Sequence, residues 1–151
     1  MSERNLYIPA LGGIYSSLDG VALLALRLAV GLSLVPHGAQ KLFGMFGGYG
    51  ISGTAQFLDS VGYSPGVLFA TLIGVVEFFG GLAIAIGLFT RPAALAAMIF
   101  LLTAVTFHMG NGFFWTEAGF EYPLMWAVGC FYFFIRGAGP LSVDAKMGKE
   151  F

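Results

Sequence analysis

The sequence predicts an all-α integral membrane protein: a four-helix bundle with both termini on the inner side and one short amphipathic helix on its outer surface. Three observations carry this. The chain is 58% hydrophobic and 16% aromatic with only 10% charged residues, and its mean hydropathy is +0.85, whereas a soluble domain is roughly a quarter charged. Four apolar windows approach the ~20 residues that a helix needs to cross the hydrocarbon core. The lysines and arginines fall in segments that alternate crossings place on one side. With 151 residues the chain, 1–151, reads as a single domain, because no repeat, low-complexity tract or linker divides it. A net charge of −1 without a basic patch gives no nucleic-acid partner.

The first window is Val21–Gln40, VALLALRLAVGLSLVPHGAQ, with one arginine, Arg27, and a polar close. The residues before it include Pro9 and several polar side chains, and the apolar run is too long for the core of a secretion signal, so no cleaved signal peptide is expected. Within it the PHG triplet, Pro36–Gly38, is expected to loosen the outer end, since Pro36 removes a backbone hydrogen bond. The second window, Val67–Phe89, carries one acid, Glu77, near its middle. The third, Pro92–Gly110, opens on a proline, whose missing N–H costs nothing at the first helical position. The fourth, Tyr122–Gly137, with Glu121 at its start, is short and is completed by flanking residues. Backbone in a bilayer must satisfy its own hydrogen bonds, so such runs are helices, and the period-2 alternation of a barrel strand is absent.

Loops complete the topology. Arg91 alone is expected to turn the second helix into the third. In the long loop from Lys41 to Gly66, SGTAQFLDSVGYSP sets Ala55, Leu58 and Val61 at helical spacing beside Phe57, with Ser52 as a cap and Pro65 as a stop, which predicts the amphipathic surface helix, a lid. The aromatic loop NGFFWTEAGFEYP is expected to dip into the interface. With the N-terminus inside, Arg4, Arg91, Arg136, Lys146 and Lys149 are inner, and the outer loops hold Lys41, Asp59, Glu117 and Glu121.

Chemistry must come from the few polar residues of the spans. At about 1.5 Å of rise per residue, Arg27 lies in the inner third of the first helix and Glu77 near the midplane, roughly 8 Å apart in height. Two readings stand for them: a structural ion pair, as a buried charge must find a partner, or catalysis. Gly31, Gly74 and Gly81 would let their helices approach closely. His37 and His108 lie at matching outer depth on different helices, followed three residues later by Gln40 and Asn111. Lys41 and Glu121, at the same level, read as interfacial anchors. Two facing histidines ligate haem or, joined by a carboxylate, a transition metal; they equally hydrogen-bond a quinone head group and pass protons. Haem ranks behind quinone and metal, because it needs a wide cleft and the glycines cluster around Glu77. Cys130 is the only cysteine, which leaves no internal disulfide or CxxC pair.

The runs LRLAVGLSLVPHGAQKLFG, GYGISGTAQFLDSVG, GVVEFFGGLAIAIGLFTRPAAL, FHMGNGFF and EYPLMW, in this order from Leu26 to Asp144, resemble the DoxX family of small four-helix bacterial membrane proteins. The resemblance implies a multi-pass protein of the bacterial inner membrane and an oxidoreductase component. Relatives include a subunit of an archaeal thiosulfate:quinone oxidoreductase and a mycobacterial member that associates with redox-defence proteins. The family's polar positions fall here on Arg27, His37, Gln40, Lys41, Glu77, Arg91, His108, Asn111 and Glu121.

The function expected is a subunit of a quinone-linked or metal-assisted redox system. His37, Glu77 and His108 are the catalytic set, Arg27, Gln40, Lys41, Asn111 and Glu121 hold the cofactor, and His37 and His108 double as metal ligands. Partners are membrane lipids, redox proteins and, through glycine-rich faces, a second copy. An alternative is a non-catalytic protein that binds a lipid or small hydrophobic molecule or scaffolds an enzyme. A small transporter ranks last, because four short spans enclose little pore.

Overall fold

A computed structural model describes residues 6–151. Among these, all regular structure is helical; Arg4 of the charge argument lies outside them. Helix α1, Gly12–Phe43, follows a 3₁₀ turn at Pro9–Leu11. It starts nine residues before the expected Val21, because Ser16, Ser17 and Asp19 lower hydropathy without interrupting the i→i−4 ladder. It also continues unbroken through Pro36 to a left-handed cap at Gly44, φ 68°, so the PHG triplet does not open the helix.

Helix α2, Gly50–Ser60, is the amphipathic segment. It begins before Ser52, so Ser52 is no cap, and it ends before Val61, which is exposed. Its buried residues Ala55 and Leu58 pack on Ala70, and Phe57 meets Phe107 edge-on at 5.9 Å. Helix α3, Gly66–Val75, a π-helical turn, Val76–Gly80, and α4, Gly81–Ile86, form one rod. Residues 87–89 make the tight turn expected of Arg91, with Gly87 at φ 74° and Phe89 at φ 47°. Helix α5, Thr90–His108, therefore includes Arg91 in its first turn, and Pro92 is its third residue, not its first. Helix α6, Glu121–Arg136, and the short α7, Val143–Met147, complete the chain.

Among the described residues, three helical segments are long and apolar enough to cross a membrane: Pro9–Phe43, Gly66–Ile86 and Thr90–Asn111. Helix α6 has 16 residues, about 24 Å of rise against a core of ~30 Å. The bundle is held by small side chains. Its core unites Val30 and Leu34 of α1, Ile84 of α4, Ala94, Ala97 and Leu101 of α5, and Ala127, Cys130 and Phe133 of α6. Leu32, Phe79, Val128 and Phe131 point outward, each about half exposed. Such a girdle is an aggregation surface in water and a contact surface in lipid.

Candidate functional site

Glycines set the crossing that builds the site. A Cβ on Gly31 would stand 2.5 Å from the Gly81 carbonyl and 2.6 Å from the Ala85 nitrogen, and one on Gly38 would strike the Phe78 backbone. Seven residues apart, two turns of helix, these glycines press α1 against the rod at the π turn. The i→i+5 turn accommodates one extra residue and shifts the side chains after it, a feature frequent at functional sites. Glu77 lies in this turn and is buried.

A cavity of about 620 Å³ opens beside Glu77 at the α2 end of the bundle. His37 and Lys41 of α1, Glu77 and His108 all line it. Its remaining wall is almost wholly apolar or aromatic: Thr54, Phe57 and Leu58 of α2, Phe69 and Ile73 of α3, Phe100 and Phe107 of α5, and Trp126 of α6. Trp115 and Tyr122, also in the wall, stack with centroids 5.4 Å and planes 6° apart. The two histidines matched in depth thus share one cavity.

The polar partners differ from those expected. Arg27 does not meet Glu77. Its guanidinium, buried at 2% exposure, donates to three carbonyls: Nε to Ala85 at 3.1 Å, and its terminal nitrogens to Ala138 at 2.6 Å and Leu141 at 2.5 Å. The Ala85 carbonyl, at the end of α4, lacks an intrahelical donor and carries partial negative charge, and those of Ala138 and Leu141 lie in the segment between α6 and α7, so Arg27 is satisfied at the α7 end, away from Glu77. Glu77 is met instead by Lys41, with Nζ 2.7 Å from Oε2. At that length the ammonium is the partner of the buried Oε2, which has no other hydrogen-bond donor among the described residues. Lys41 Nζ also reaches the His37 carbonyl at 3.4 Å.

Gln40, Asn111 and Glu121 do not line the cavity. They tie down loops. Gln40 Nε2 donates to the Phe46 carbonyl at 3.2 Å, Asn111 Nδ2 to Ala118 at 3.1 Å, and Glu121 accepts from the Trp115 nitrogen at 3.1 Å. His108 Nδ1 stands 2.7 Å from the same Ala118 carbonyl. Arg91 pairs with Glu150 at 3.3 Å on the surface. Among the described residues no three His, Cys, Asp or Glu side chains converge on a point, so the set of two histidines joined by a carboxylate around a metal is not assembled.

The sequence reading missed a second polar cluster, at the α7 end. Asp144, 4% exposed, accepts from the Phe89 nitrogen at 2.8 Å, the Thr90 nitrogen at 3.0 Å and the Thr90 hydroxyl at 2.8 Å. It thereby satisfies the first N–H groups of α5. Ser142 caps α7 by accepting from the Ala145 nitrogen at 3.1 Å. The signal was present as Ser-Val-Asp at a helix start, but the partner helix is more than 50 residues away.

On α2, Asp59 accepts from the Ser64 hydroxyl at 2.6 Å and the Gly66 nitrogen at 2.9 Å; these bonds hold its carboxyl below the usual carboxylate range. A lowered folded value means that the latch contributes fully above about pH 4 and is lost as pH falls through the folded value. Amide exchange at Gly66 is therefore expected to accelerate, beyond its intrinsic pH trend, at the acid end, and Asp59→Asn to show the faster exchange already at neutral pH.

The DoxX family model matches residues 22–109 of the chain, more than half of it. An uncharacterized protein of Haemophilus influenzae is 31% identical over 133 residues, 83% of this chain and 90% of the relative. The Escherichia coli "Inner membrane protein YqjF" is 32% identical over 88% of this chain and 97% of its own length. A Bacillus subtilis protein named "Putative oxidoreductase CatD" is 30% identical over 70% of this chain and 72% of its own. No solved structure matches the chain significantly.

Proposed function

Because the chain belongs to the DoxX family, we propose that it is a bacterial inner-membrane subunit of a redox system whose cavity at the α2 end holds a quinone head group. One observation carries this reading: a largely apolar, aromatic cavity of about 620 Å³ on which His37, Lys41, Glu77 and His108 converge. The volume suits a small ligand, as such pockets span ~300–1,000 Å³ with few polar groups. The aromatic wall stacks the ring, and the histidines hydrogen-bond its oxygens and exchange protons with them. Lys41 and Glu77 supply a donor and an acceptor at one point. Relatives named "Inner membrane protein YqjF" and "Putative oxidoreductase CatD" support the location and the reaction class.

In this reading α6 is the fourth span, completed by flanking residues, and both termini are cytoplasmic. Arg91, Arg136, Lys146 and Lys149 then lie inside, with Lys41, Asp59, Glu117 and Glu121 outside. Helix α2 covers the cavity as a lid. A reporter fused after Lys149 is expected to be active only in the cytoplasm, and one inserted near Gly50 only outside; the reverse pattern would invert the assignment.

Trp115 and Trp126 are the two tryptophans of the chain, and both line the cavity. Titrating purified protein with a short-chain benzoquinone should quench their fluorescence saturably, and a His37→Ala variant, which removes the imidazole able to donate to a quinone oxygen, should weaken the affinity by about tenfold. Quenching that is linear in quinone would contradict the proposal. The apolar wall also supports a second reading, a non-catalytic lipid site, which predicts saturable binding that ignores the histidine substitution.

A further inference from the structure

The polar ends of the cavity differ in what they can offer, and we propose that the site selects the reduced, dihydroxylated ring, a quinol, over the oxidised quinone. This rests on reading the cavity as a quinone site. His108 Nδ1 lies 2.7 Å from the Ala118 carbonyl. A carbonyl can only accept, so Nδ1 holds the ring proton and donates it. In the neutral imidazole, Nε2 is then a bare acceptor, and it is the nitrogen left for a ligand. Asn111 Nδ2 donates to the same carbonyl at 3.1 Å, and Ala118 sits at φ 58°. Turning that carbonyl away would break both bonds, so the tautomer is fixed by the loop.

A quinone oxygen placed at Nε2 sets acceptor against acceptor in a space walled by aromatic rings. A quinol hydroxyl placed there donates. The remaining polar groups do not discriminate. The Glu77 carboxylate accepts from a hydroxyl, while the adjacent Lys41 ammonium, 2.7 Å away, donates to a carbonyl. Beside the His37 ring stands the Gln40 side chain, whose amide can offer its oxygen or its nitrogen, so His37 can present either a donor or an acceptor. The preference is therefore set at His108, and its size is that of one hydrogen bond made instead of left unmade, about tenfold in affinity.

The test is anaerobic titration of the purified protein at pH 8, where histidine is ordinarily neutral, with a short-chain quinone and separately with its quinol. Fluorescence of Trp115 and Trp126 gives a Kd for each. The quinol is expected to bind about tenfold more tightly. His108→Asn keeps an amide donor near the Nδ1 position for Ala118 but removes Nε2, and should bring the ratio of the two Kd values close to one. Equal binding or a quinone preference in the unaltered protein, or a ratio that survives His108→Asn, would overturn the selectivity while leaving the quinone reading standing. Saturable binding of neither form would overturn both.

Discussion

Replacing Arg27 with methionine is expected to destabilise the bundle by about 3–5 kcal/mol, because it leaves the buried carbonyls of Ala85 and Ala138 and the part-buried one of Leu141 without their donor. That is a large share of the 5–15 kcal/mol by which a domain is ordinarily stable. The three acceptors belong to the end of α4 and to the segment between α6 and α7, so the substitution unties the α7 end at two places at once. Arg27→Lys keeps the charge but cannot reach three acceptors with a planar fork, and should recover part of the loss. The measurement is thermal unfolding in detergent. The partner choice is testable in the same series: Arg27 and Glu77 share no contact, so combining Arg27→Met with Glu77→Gln should give the sum of the single effects. A strong departure from additivity would restore the direct pair that the sequence suggested.

Lys41→Met should cost about 2–4 kcal/mol, somewhat less than loss of a fully buried pair, since the Lys41 side chain is 25% exposed while that of Glu77 is only 5% exposed. The carboxylate is then left in the π turn with no cation beside it and no directed hydrogen bond. Adding Glu77→Gln to Lys41→Met removes the uncompensated charge and should return most of the stability. A double variant as damaged as the sum of the singles would mean that the 2.7 Å contact contributes nothing. In the functional reading the same double variant folds but loses quinone affinity, which separates the pair's structural and binding roles.

Much of the architecture was legible because a bilayer leaves few choices. Apolar runs of span length have to be helices, and the girdle that includes Leu32, Phe79 and Val128 follows from composition alone. The start of α1 was not legible from hydropathy, since Ser16, Ser17 and Asp19 are polar yet compatible with a helix. Depth along the helices grouped His37 with His108, and both line one cavity. It failed for Arg27, because height says nothing of helix face and backbone carbonyls leave no mark in a sequence. Lys41 was read as an anchor for the same reason: a position near the end of a span suggested water, whereas the Gly31 and Gly38 crossing turns its ammonium onto Glu77. The π turn has no residue signature of its own. The glycines of GVVEFFGG hinted at close approach, not at the extra residue in the turn. Gln40, Asn111 and Glu121 sit at the right level, but their side chains find backbone groups of adjacent loops first.

The central claim, that a quinone ring occupies the cavity bounded by α1, α2, the π turn and α5, is tested most directly by photolabelling with an azido-quinone in bacterial membrane vesicles. Peptides carrying His37 and Lys41, Phe57, Glu77, and Phe107 with His108 are expected to be labelled, with label displaced by excess unmodified short-chain quinone. Label spread over the lipid-facing residues Leu32, Phe79 and Phe131, undiminished by competitor, would contradict it.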